Sequence, residues 1–79
     1  MSITDFIEKF AFAIEAEASA LQASTRFKEL PTWDSLNTLA IIAMADSDYG
    51  VTLSGQDIQN AVTVEDLWRV VSSRLAPTQ

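Results

Sequence analysis

The 79-residue chain has no cysteine and no histidine. Without cysteine there is no disulfide, no thiolate nucleophile and no Cys-based metal site. Without histidine the commonest general base and metal ligand is missing, so a Ser-His-Asp hydrolase cannot be assembled from this chain alone. Carboxylate sites for Mg²⁺ or Ca²⁺ remain open in principle, but no Asp-rich loop has EF-hand spacing, and no metal site is expected. Basic residues are scarce as well. Five Lys and Arg face eleven Asp and Glu, giving a net charge of −6. Such a surface repels phosphate backbones and anionic lipid, which argues against nucleic acid and membrane partners. It favours encounter with basic patches on other proteins, although a negative surface also serves solubility alone. No stretch approaches a membrane span. Asp5, Glu8 and Glu15 stand where a signal peptide would be basic and then apolar. A cytoplasmic monomer without membrane insertion is expected.

What is present reads as helix. Only two glycines and two prolines punctuate the chain, which suits helices joined by short loops. A chain this short buries about 60% of the surface its unfolded form exposes. That supports one thin core in a single domain over residues 1–79; a deep walled cleft besides is much harder to fit. A non-catalytic binding or carrying module is expected rather than an enzyme. The fold class is all-α, a small four-helix bundle with three longer helices and one short one. Ile3, Phe6, Ile7, Phe10, Ala13 and Ile14 recur at helical spacing and predict a first helix from Ser2–Thr4 to about Ala18. Alanines favour helix up to about Gln22, where Ser24, Thr25 and then Pro31 end it. Phe27, Leu30 and Trp33 are expected to anchor the following loop, since burying each is worth about 1.5–3 kcal/mol.

The second helix is predicted over Ser35–Tyr49, capped by Asp34 and closed by Gly50 in the left-handed conformation. Ser54 opens a short helix to about Ala61, with Asp57 as its capping-box partner. Thr63 and Asp66 repeat that pattern for a last helix to about Leu75, whose face is Val64, Leu67, Trp68, Val71 and Leu75, with Pro77 at the frayed end.

On a wheel of about 100° per residue, Thr38, Ile41, Ile42, Ala45 and Tyr49 form a core-facing arc of the second helix. Leu36, Leu39, Ala40, Ala43 and Met44 fall largely on the other side. So small a bundle cannot cover a helix from every direction. Either the second arc is an exposed interaction surface, or the loop carrying Phe27, Leu30 and Trp33 covers it. Asp34, Asp46 and Asp48 bracket the strip with negative charge.

Ser35 stands at the start of this helix, where backbone N–H groups lack partners and the helix dipole is positive. A phosphate joined to its hydroxyl would be well placed there. A serine at a helix start also serves as an ordinary cap, so Asp34-Ser35-Leu36 alone decides nothing. The wider pattern does more. The run Phe27-Lys28-Glu29-Leu30-Pro31-Thr32-Trp33-Asp34-Ser35-Leu36, the apolar helix, Tyr49-Gly50-Val51, Leu53 and Thr63-Val64-Glu65-Asp66-Leu67 together resemble acyl carrier proteins. The resemblance implies a carrier with 4'-phosphopantetheine attached to Ser35 from coenzyme A by a phosphopantetheinyl transferase that uses Mg²⁺. Acyl intermediates would ride on it as thioesters between acyl-loading and acyl-processing enzymes. It implies docking through Asp34, Leu36, Leu39, Ala40, Ala43 and Asp46. Fatty-acid carriers usually carry glutamates through the middle of the second helix, whereas here no acid precedes Asp46. That departure points to a specialised fatty-acid, polyketide or related pathway. Ala45 on the core arc either leaves room for a sequestered acyl chain or packs beside a large neighbour such as Trp68. An aminoacyl or peptidyl carrier, or an unmodified helical interaction module, are the alternatives.

Overall fold

A computed structural model describes residues 2–75; Pro77, expected at the frayed end of the last helix, lies outside them. Among the described residues there are four α-helices: α1 (Ile3–Ala13), α2 (Ser35–Tyr49), α3 (Gly55–Asn60) and α4 (Val64–Arg74). One-turn 3-10 helices at Ala18–Ala20 and Phe27–Glu29 lie in the long connection between α1 and α2. No strand occurs among the described residues. The molecule is a small all-helical bundle in which α1 packs on α2 and α4, and α3 bridges α2 and α4.

Each helix begins where a short polar side chain can accept a free amide. Ser2 accepts from Asp5, and Asp34 accepts from Asn37. Ser54 with Asp57, and Thr63 with Asp66, form complete capping boxes. At the end of α2, Gly50 takes φ 65° and the Val51 amide bonds to the Ala45 carbonyl at 3.1 Å.

The first helix is shorter than its pattern predicts: it stops at Ala13, not Ala18. Glu15 adopts φ 58°. The Ala16 amide reaches the Ala11 carbonyl at 2.8 Å and the Glu15 amide reaches that of Phe12 at 3.2 Å. This bond pair is the Schellman closure, normally signalled by glycine at the left-handed position. Glutamate there gives no such signal, so the stop is hidden in the sequence. Beyond it the expected helix to Gln22 is reduced to one 3-10 turn.

The core holds Phe6, Phe10, Ala11 and Ile14 from α1 and its cap, Ile41, Met44 and Ala45 from α2, Ile58 from α3, and Val64, Leu67 and Val71 from α4. Trp68 and Leu75, expected on the α4 face, pack on it half-buried. Phe27 and Trp33 bind the long loop to α1 through aromatic contact. Phe27 meets Phe10 edge-on at 5.5 Å between centroids, and Trp33 stacks on Phe10 at 6.3 Å. Phe27 is fully buried, and Leu30 and Trp33 are half-buried against the core, so the three expected anchors do hold the loop. Its carbonyls at Ala23 and Thr25 accept from the first amides of α4, Glu65 and Val64, at 2.9 and 3.0 Å. With the aromatic pins, these bonds fix the direction from which the chain enters α2.

Candidate functional site

The approach to α2 is a run of short bonds. The Trp33 amide bonds to the Leu30 carbonyl at 3.0 Å, turning the chain at Pro31 and Thr32. Asp34 is extended, and its Oδ1 accepts from the Asn37 amide at 2.9 Å. Asn37 Nδ2 donates to the Thr32 carbonyl at 2.7 Å, tying the first turn of the helix to the loop. The cap is therefore Asp34. Ser35, the first helical residue, is exposed, and among the described residues its hydroxyl enters no hydrogen bond. The amides of Ser35 and Leu36 belong to the first turn, where no intrahelical carbonyl can reach them. An accessible hydroxyl thus stands beside unpaired amides at the positive end of a 15-residue helix.

Ser35 also borders an open groove of about 650 Å³ between α2 and α3, lined on the α2 side by Thr38, Leu39 and Ile42 and across it by Ile58. Trp33 also lines the groove. The short α3 that walls it is held at both ends by cations from elsewhere in the chain. Lys28 Nζ donates to the Gln59 carbonyl at 2.6 Å. At the other end Arg74 makes a two-pronged contact with Asp57 at 2.6 and 2.9 Å, and also reaches the Thr52 carbonyl. Arg74 and then the Ser54 amide hold the Asp57 carboxyl well below the usual carboxylate range.

The two readings of the outer arc of α2 separate residue by residue. Leu36 and Leu39 are 71% and 62% exposed, so the aromatic loop does not cover them. Ala43 and Asp46 are exposed and Ala40 is half-buried. Leu36, Leu39, Ala40 and Ala43 follow the i, i+3, i+4, i+7 spacing of one helix face, and Asp46 continues it. Asp34 adds a carboxylate at its N-terminal end. Met44 departs from its expected place: it lies in the core, only 6% exposed. Ile41 and Ala45 on the predicted core arc are fully buried, whereas Thr38, Ile42 and Tyr49 are half-buried at its margins.

Two exposed large apolar residues, Phe12 and Val62, were not anticipated from the sequence. Phe12 of α1 is 86% exposed, more than any other large apolar side chain described. It falls about 180° from the α1 stripe on a wheel of about 100° per residue, so the signal was available in the spacing.

These features define a class, a small acidic all-helical bundle whose second helix presents an apolar strip and a free serine at its start. Compared with protein-family models, curated proteins and solved structures, the chain matches none. Among the described residues no helix is long and apolar enough to cross a membrane.

Proposed function

We propose that this chain is an acyl carrier protein, with 4'-phosphopantetheine esterified to Ser35 Oγ. The observation that carries the reading is the division of labour between Asp34 and Ser35. The aspartate caps α2, leaving the serine hydroxyl exposed and without a structural bond. The residues fit the group. The unpaired first-turn amides would favour a phosphate at this position, and the α2–α3 groove that Ser35 lines would offer Leu39 and Ile42 to an apolar cargo. When bound, the arm supplies a thiol that holds acyl groups as thioesters. The chain's own part is to present the attachment point on a rigid helix end and to offer a surface that enzymes grip.

Leu36, Leu39, Ala40, Ala43, Asp34 and Asp46 form that surface in this reading. The partners are a phosphopantetheinyl transferase and acyl-loading and acyl-processing enzymes of a specialised biosynthetic pathway in the cytoplasm. With no acid in the middle of α2, recognition rests more on Leu36 and Leu39 than on charge. Exposure of those two leucines also favours a second reading, an unmodified interaction module that uses the same strip without Ser35 chemistry.

Incubation with coenzyme A, Mg²⁺ and a broad-specificity phosphopantetheinyl transferase separates the two. The carrier reading expects the intact mass to rise by one phosphopantetheine in wild type and not in Ser35→Ala. An unchanged wild-type mass, under conditions that convert a control carrier, supports the interaction module instead.

A further inference from the structure

The other flank of α2 faces α1 across a second open groove of about 810 Å³. Phe12, Ala13 and Ala16 line one side, and Ala40, Ala43 and Met44 line the other. The alanines leave a hollow floor, while Phe12 stands almost entirely in water at its edge. Nothing in the fold uses that ring. An exposed aromatic beside a hollow apolar floor is the arrangement of an interface anchor.

The charge around the groove is mostly acidic. Glu15, Glu17 and Asp48 border it, and Lys9, which also lines it, is bound to Asp5 at 2.8 and 2.9 Å. Glu15 stands there in a left-handed backbone conformation that disfavours side chains. A second copy of this chain is a poor occupant, because two molecules of net charge −6 would bring carboxylate rims together.

We infer that the α1–α2 groove docks an amphipathic basic helix of another protein. Its apolar face packs on Phe12, Ala40 and Ala43, and its Lys or Arg side chains meet Glu15, Glu17 and Asp48. The inference does not depend on modification of Ser35, which borders the groove on the opposite flank of α2.

The test is a titration of the full chain, followed by amide NMR shifts. The probe is a synthetic helical peptide with leucines at i, i+3, i+4 and i+7 and lysines elsewhere. The expected result is saturable binding with the largest shifts at Phe12, Ala40, Ala43 and Ser47. Phe12→Ser should weaken it about tenfold, as loss of an interface anchor does. Glu17→Lys combined with Asp48→Lys should remove its salt dependence. Those side chains are exposed or at the rim, so melting temperatures should stay near wild type and fix the cause as lost docking. Ser35→Ala should bind like wild type. Shifts centred on Leu36 and Leu39 would overturn the inference, as would undiminished binding by Phe12→Ser. Equal binding of a peptide with Glu in place of Lys, or a concentration-dependent dimer filling the groove, would do the same.

Discussion

Asp34 and Ser35 are neighbours with separable duties. Asp34 accepts the Asn37 amide, so Asp34→Ala should cost about 1 kcal/mol of unfolding free energy, the usual worth of an N-cap. Ser35→Ala removes a hydroxyl without a partner and should stay within about 0.5 kcal/mol of wild type. Urea denaturation of both variants measures the difference, and a larger loss at Ser35 would mean that its hydroxyl is structural. Glu15 offers a second residue-level test. Its left-handed backbone costs about 1–2 kcal/mol for a side-chain-bearing residue, partly offset by the chain entropy that glycine adds to the unfolded state. Glu15→Gly is therefore expected to raise the melting temperature modestly, and a lower one would show that Glu15 makes a contact worth more than the strain.

At the scale of elements, most of the architecture was legible because the helix starts are chemically explicit. Ser54 with Asp57 and Thr63 with Asp66 spell capping boxes, and Gly50 marks the end of α2. Two features were not legible. The end of α1 rests on a glutamate in a glycine conformation, which residue preference points away from. Met44 is buried although the wheel puts it on the outer side. The wheel placed Ile41 and Ala45 in the core, but α2 is apolar on both arcs, so the width of its buried side is decided by neighbouring elements. Leu36 and Leu39 are the residues those neighbours leave uncovered. Leu36→Glu should consequently shift unfolding free energy by less than about 0.5 kcal/mol, yet slow loading by a phosphopantetheinyl transferase. Marked destabilisation in a thermal melt would place Leu36 in the core instead.

For the whole molecule, acid should reveal the long-range clamp between α4 and α3. Arg74 keeps Asp57 ionised to lower pH in the folded chain than in the unfolded one. Asp5, beside Lys9, and Asp66, accepting from the Thr63 and Val62 amides, are lowered in the same direction. In acid the unfolded state then takes up more protons. The stabilisation is complete above the ordinary carboxylate range and fades as pH falls below about 4. Asp57→Asn should melt lower than wild type near neutrality and lose less on acidification. Parallel curves from pH 5 to about 2 would show that the clamp contributes nothing.

The amino acids already showed the serine, its helix, its charge and Asp34 as the cap; which apolar residues of α2 stay in water depended on how the neighbouring elements pack. The chemistry at Ser35 is read out by mass spectrometry of the chain isolated from its own cells, taken intact and then after digestion. The expected result is a chain heavier by one phosphopantetheine, free or acylated, with the added mass on the peptide containing Ser35. An unmodified Ser35 in cells whose other carriers are fully loaded would contradict it.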